Sequence, residues 1–308
     1  MEGFKLNSGA VMPTIGMGIG VKNDRTVDAA FAAIEIGYRC FDTARHYGTE
    51  PLLGEALRRA FKAGLVKRED VFVTTKLSPA DADVVTALKS SLSDLQLDYV
   101  DLFLVHWPLQ VKKGADYRNL KPGDLTTIDP KTFWPGMESC VDAGLAKSIG
   151  VSNWSIKKLE ELLSVARIPP AVNQVEVHPL WRQEKLREYC KQKGIVITAY
   201  SPLGAPNNSY GINDVLTNST INEIAQRLNK TLAQVILRWL YEKGVSFVVR
   251  SYTRTRLEEN FNVLDCTLSA ADIQMMDSIS EQKKAVHGRD FIQPDCGPFK
   301  TLEDLWDE

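Results

Sequence analysis

Apolar positions along the chain fall into two alternating patterns. Short apolar runs rich in β-branched residues recur at eight places: "TIGMGIG" from Thr14, "RCFDTA" from Arg39, "VFVTTK" from Val71, "VDLFLVHW" from Val100, "SIGVSN" from Ser148, "AVNQVEV" from Ala171, "VITAYS" from Val196 and "SFVVRS" from Ser246. Such runs read as strands buried on both faces. Between them apolar residues recur three or four apart, as at Val27, Phe31 and Ile34, and again at Ile221, Ala225, Leu228, Leu232, Val235, Ile236 and Trp239. That spacing is the stripe of an amphipathic helix. The strand ends run from Gly20 to Arg250, a mean spacing of about 33 residues, one strand-plus-helix unit per step. The repeat predicts an α/β protein, a closed (β/α)8 TIM barrel. An open doubly wound sheet competes, but it normally carries Gly-x-Gly-x-x-Gly after its first strand, and "GMGIG" at Gly16 to Gly20 does not lead into a helix with that pattern. No linker or low-complexity segment divides the chain, so residues 1–308 read as one domain.

The opening "FKLNSGAVMP", two short apolar pieces around Asn-Ser-Gly, predicts a hairpin closing the barrel bottom. Three stretches exceed ordinary loop length: the region after His106, the region after Tyr200, and the tail after Lys283. The first two follow strand C-terminal ends, so they overhang the mouth of the barrel, where long loops carry substrate contacts. Nothing in the sequence places the tail.

Composition narrows the partners. The chain has 308 residues, 44% hydrophobic and 25% charged, with a formal net charge of −2. That balance gives no general attraction to nucleic acid or to an anionic membrane, which leaves small molecules. Five scattered cysteines without a Cys-x-x-Cys pair favour a reducing compartment. The N-terminus lacks the basic and apolar regions of a signal peptide, and no apolar run approaches the roughly 18 residues of a membrane span. A cytoplasmic protein is expected.

Barrel geometry brings the C-terminal ends of different strands around one mouth. There stand Asp42 and Tyr47 after the second strand, Lys76 at the end of the third, and His106 with Trp107 at the end of the fourth. A tyrosine hydroxyl is a poor acid at neutral pH, but a neighbouring ammonium lowers its pKa, and Lys76 can supply that charge. A buried Lys76 needs a counter-ion, and Asp42 is the available carboxylate. His106 can orient a substrate oxygen by a hydrogen bond. Such a group donates a proton to an oxygen that is gaining charge. Each residue also has a structural reading, as helix cap, surface tyrosine, solvated lysine or packed histidine, but four such accidents would have to share one mouth.

The segments "GYRCFDTARHYGTE", "VFVTTKL", "LDYVDLFLVHWP", "GLAKSIGVSNWS", "AVNQVEVHP", "ITAYSPLG" and "VVRSYTRTRLEEN", in this order, resemble the signatures of the aldo-keto reductase superfamily, from about Lys5 to the tail. The ending "GPFKTLEDLWDE" and the run "ARIPPAVNQVEVHPLWRQEKL" look most like its plant branch. The resemblance implies NADPH-dependent reduction of aldehydes or ketones in a mostly monomeric (β/α)8 barrel without metal. It implies Tyr47 as catalytic tyrosine, with Asp42, Lys76 and His106, and Trp107 beside the substrate.

A nicotinamide needs an aromatic plane and partners for its carboxamide, and Tyr200 with Ser152, Asn153 and Gln174 offers both. The resemblance gives these residues those roles, and Asp42 lies beside them. Arg250, Ser251 and Arg256 stand just before a helix start, where guanidinium forks and free N–H groups suit a phosphate. This matches the family's 2′-phosphate site, with Glu259 and Asn260 near the adenine. The resemblance places Ser201 and Leu203 near the pyrophosphate.

The chain departs from the family pattern in places. Gly20 stands where many relatives have a tryptophan, Ile19 replaces a small polar residue, and Ser78 replaces another pocket tryptophan. Two lost aromatics imply a wider, less apolar mouth and bulkier or more polar carbonyl substrates. Arg250 stands where lysine is more usual, which keeps the charge but alters its geometry. Two rival readings are a Schiff-base aldolase using Lys76 and a non-catalytic NADPH-binding regulatory protein.

Overall fold

A computed structural model describes residues 3–117, 119–206 and 208–307. Its centre is a closed barrel of eight parallel strands: β1 (Ile15–Gly18), β2 (Cys40–Asp42), β3 (Phe72–Leu77), β4 (Val100–Val105), β5 (Ala146–Ser152), β6 (Val172–Glu176), β7 (Val196–Tyr200) and β8 (Ser246–Val249). Each strand bonds to the next in sequence, and β8 bonds back to β1. All eight apolar runs form these strands. Every position of β3, β4 and β6 is buried, because side chains fill the barrel on one face and meet helices on the other.

Helices Thr26–Ile36, Glu50–Lys62, Val84–Leu95, Pro130–Asp142, Ile156–Leu163 and Glu184–Gln192 follow β1 to β6. After β7 the long apolar stripe is divided between two helices, Ser219–Leu228 and Leu232–Glu242. Asn229 enters the left-handed region at φ 51°, and Thr231 starts the next helix with a reciprocal cap to Gln234. Helix Arg254–Phe261 follows β8. Among the described residues no helix is long and apolar enough to cross a membrane.

The predicted hairpin is present, Gly3–Lys5 against Val11–Pro13. Leu6 and Met12 pack on Cys40, Phe72, Leu102, Leu104, Ala171 and Val172, closing the N-terminal end. At the opposite end the loop after β4 folds into a two-stranded ribbon, Leu109–Val111 with Leu125–Thr127. Its Leu109, Val111 and Leu125 share an apolar cluster with Phe291, Phe299, Leu305 and Trp306. The tail therefore folds back over the mouth.

Candidate active site

The strand C-terminal ends open into a cleft of about 1420 Å3. Every residue assigned above to cofactor or substrate contact lines it, Ser78 excepted, as do Asp42, Tyr47 and His106. A smaller hollow of about 600 Å3 lies at the other end, around Pro13, Phe72, Asp101 and Lys147, and holds none of them.

Lys76 is the exception among the four proton-handling candidates. It is only 1% exposed and sits beneath the cleft rather than in its wall. Its Nζ donates to Asp42 Oδ1 at 2.6 Å and to the Thr43 carbonyl at 2.9 Å. The other carboxylate oxygen of Asp42 accepts from Gln174 Nε2 at 2.7 Å. Tyr47 rides on a short 3-10 turn, Arg45–Tyr47, closed by Gly48 at φ 65°. Thr49 fixes that turn by donating to the Ile19 carbonyl at 2.7 Å. The Tyr47 hydroxyl lies 3.3 Å from His106 Nε2, and Lys76 Nζ lies 5.2 Å from the centre of the tyrosine ring.

Burial decides the protonation states. It pushes the Tyr47 hydroxyl well above its ordinary value, with Asp42 adding to the effect. The expectation that Lys76 brings this pKa down is therefore corrected: burial and then Asp42 raise it, and the ammonium N–H groups are directed at Asp42 and Thr43 rather than at the hydroxyl. Burial also lowers the pKa of Lys76, against the pull of Asp42. His106 is held well below the ordinary histidine value by burial and then by Lys76 and His46, so its ring is neutral. Its Nδ1 has no partner among the described residues. A buried N–H without an acceptor is the costlier arrangement, which leaves the proton on Nε2, facing Tyr47.

On the β5 to β7 side the polar groups are tied into one chain. Tyr200 Oη donates to Asn153 Oδ1 at 2.7 Å, and Asn153 Nδ2 donates to the His106 carbonyl at 3.0 Å. Ser152 Oγ donates to the Gln174 carbonyl at 2.8 Å. Asn153 and Ser201 hold left-handed backbone at φ 65° and 48°. Backbone strain of this kind persists only where the surroundings fix it, and it clusters at functional sites.

Past β8, Arg254 is bound by Glu35 and Glu258. Arg256 has no ion-pair partner among the described residues and faces the cleft. Arg250 donates to Asn208 Oδ1 at 3.0 Å, a link that carries the loop after β7 across to β8. Thr253 makes no side-chain cap, so the first N–H groups of helix Arg254–Phe261 have no such partner.

The substrate-side wall differs from the expectation in one respect. Ser78 does not line the cleft; its backbone and hydroxyl close a turn with Asp81 and Ala80. The aromatic wall comes instead from Trp107, Tyr117 and Phe291, with His46 edge-on to Tyr117 at 4.4 Å. Gly20 does line the cleft, and a Cβ there would meet only the Tyr47 ring, at 3.8 and 4.0 Å. Neither packing nor backbone demands glycine at that position, so it leaves open space beside Tyr47. Sequence reading missed His46, Tyr117, Tyr210, Arg25 and the tail segment from Ala285 to Phe291. The long loops were flagged, but no periodicity marks which loop residue turns inward.

Comparison with known proteins agrees with this architecture. Residues 11–281 match the family model described as the aldo/keto reductase family. The chain is 46% identical to deoxymugineic acid synthase 1 of Zea mays, covering 96% of each chain. It is 45% identical to aldo-keto reductase family 4 member C11 of Arabidopsis thaliana, covering 99% of this chain and 97% of that one. A Citrus sinensis protein, (1S)-1,7-diacetoxy-luvungin A aldo-keto reductase, is 45% identical over 92% of this chain and 90% of its own. The structure of the aldose reductase from Schistosoma japonicum superposes with a TM-score of 0.85 at 34% identity, over 100% of this chain and 97% of the other. A barrel shared end to end and identity sustained across nearly the whole length lead to one conclusion: this chain belongs to the aldo/keto reductase family, oxidoreductases that act on carbonyl groups with a nicotinamide cofactor, and is similar to its plant members.

Proposed function

We propose that the protein reduces an aldehyde or ketone to an alcohol, with NADPH as reductant and Tyr47 as proton donor. The observation that carries the reading is the contact between Tyr47 and neutral His106 at the cleft floor, backed by the buried Lys76–Asp42 pair.

The residues present fit the cofactor. Tyr200 offers a ring face, Asn153 and Gln174 offer amides, and Arg256 with Arg250, Ser251 and the helix start offers a cationic end. A phosphate dianion needs such charge, which supports NADPH over NADH. A bound reduced nicotinamide would supply hydride to the carbonyl carbon. Tyr47 then gives its proton to the carbonyl oxygen, while His106 Nε2–H holds that oxygen in place. Lys76, 5.2 Å from the tyrosine ring centre, offsets part of the cost of the phenolate left behind without bringing the resting pKa down, and Asp42 keeps Lys76 charged and fixed. A tyrosine whose pKa is raised at rest arrives carrying its proton, as a donor must.

The aldolase reading loses support, because Lys76 does not reach the cleft and its amine is tied to Asp42. The space beside Gly20 favours a carbonyl with a bulky substituent, and the compound in the name of the Citrus relative, (1S)-1,7-diacetoxy-luvungin A, is in keeping with that. A cytoplasmic, monomeric protein completes the proposal. It is supported by four buried free cysteines and by large exposed apolar residues that are scattered, such as Val11, Leu65, Val165 and Leu264.

The test follows loss of reduced-nicotinamide absorbance over a panel of aldehydes and ketones, with NADPH and NADH, in the wild type and Tyr47→Phe. The expected result is turnover with NADPH that falls by about 10²–10⁴-fold in the variant, while NADPH binding is retained. Undiminished turnover in the variant overturns the role of Tyr47. Equal use of NADH overturns the phosphate site.

A further inference from the structure

One buried carboxylate stands outside this chemistry. Glu176, the last residue of β6, is 1% exposed and does not line the cleft. It accepts three N–H bonds: from Ala285 N at 2.7 Å, from Val286 N at 2.8 Å, and from His178 Nε2 at 2.9 Å. Those donors, the His178 bond foremost, hold it ionised below the usual carboxylate range in spite of burial. Two of the three belong to the tail, more than one hundred residues away in sequence.

The position of those two donors matters. Ala285 and Val286 begin the segment that walls the substrate side and ends at Phe291, which packs on Trp107 with ring centres 4.8 Å apart. Upstream, Lys283 N donates to the Leu180 carbonyl at 2.6 Å. Downstream, Trp306 Nε1 donates to the His287 carbonyl at 2.8 Å, and Asp307 binds Ser155, Lys157 and Lys158. The far end of the tail is thus held by an apolar cluster and by Asp307 at the surface, its root by a buried charge. Charge-assisted bonds to a fixed strand end are the stronger and more directional kind.

We infer that Glu176 is a positioning residue for substrate selection: its carboxylate sets where the tail turns, and so places Phe291 against Trp107 as the wall of the substrate site. This rests on the reductase reading for its kinetic consequence but not for its structural one. The Glu176 carboxylate has no hydrogen bond to Tyr47, Lys76 or His106 and reaches the cleft through the tail residues it binds and through its strand neighbour Tyr200, so its removal changes which carbonyls fit more than how a proton moves.

The experiment compares wild type with Glu176→Gln, which keeps shape and loses charge, and Glu176→Ala. Hydrogen exchange is read on residues 284–307, and kcat and KM are read separately for a small aldehyde and for a bulky aromatic ketone. In Glu176→Gln the tail amides from 284 to 291 are expected to exchange at least about tenfold faster, with barrel strands unchanged. The ratio of kcat/KM between the two carbonyls is expected to shift at least about fivefold through KM, with kcat for the small aldehyde within about twofold. Glu176→Ala should show both effects more strongly. Faster exchange without a change in selectivity overturns the selection role. Unchanged exchange at 284–291 overturns the anchor itself, whatever the kinetics. A wild type that reduces no carbonyl defeats the reductase reading alone, because the exchange measurement still decides the anchor.

Discussion

At the residue scale the site is governed by burial more than by pairwise charge. Asp42, Tyr47, Lys76 and His106 were legible as types at strand ends, because barrel geometry makes those positions converge. Their depth was not legible. Lys76 lies under the floor and Tyr47 is held protonated, since desolvation depends on every surrounding atom and leaves no mark in local sequence. His106 gives a test. Its folded pKa lies well below the ordinary 6.5, so the folded state resists a proton that the unfolded chain accepts. The corresponding stability is complete above about pH 6.5 and is lost as the pH falls below it, by about 1.4 kcal/mol at pH 5.5 if the ring stays neutral. His106→Gln is expected to remove this dependence. Melting temperatures measured between about pH 7.5 and 5.5 should fall more for wild type than for the variant, and parallel curves would count against a neutral buried His106.

At the element scale continuous apolar runs marked whole strands, whereas periodic stripes marked the helices without their breaks. Continuous apolar runs mark strands buried on both faces, and all eight formed. The stripe Val27, Phe31, Ile34 named the right helix and one edge of its inner face, with Ile34 buried in the core. Val27 and Phe31 are half-buried, while Thr26, Ala29, Ala30 and Ala33 are buried, because small residues let the helix pack closely. The stripe from Ile221 to Trp239 ran through a break that capping chemistry imposes, Asn229 in the left-handed region and Thr231 with Gln234. Thr231→Ala removes the cap of helix Leu232–Glu242 and should destabilise the protein by about 1 kcal/mol, read as a lower midpoint in urea unfolding at unchanged slope.

At the scale of the whole molecule the tail completes the mouth. Truncation after Lys283 removes Phe291, Phe299, Leu305 and Trp306 from their cluster and uncovers Leu109, Val111, Leu125 and Trp107. It also leaves Glu176 without two of its three donors, which costs about 1–3 kcal/mol for each group left unsatisfied. The closed barrel and its helices lie upstream of the cut. The truncated protein is therefore expected to keep its far-ultraviolet circular dichroism and a cooperative transition, at lower melting temperature and with raised binding of an apolar dye. Loss of the cooperative transition would show that the barrel depends on the tail.

The sequence by itself determined the alternation of strand and helix, the closing hairpin, and the residues that stand at strand ends, because those follow from periodicity and local turn chemistry. Only the tertiary structure decided that Tyr117 and Phe291 rebuild the aromatic wall while Ser78 turns away, that Lys76 lies below the cleft, and that Glu176 receives the tail. Those outcomes rest on contacts between distant segments and on the removal of water around buried charges, and neither leaves a periodic trace in the chain.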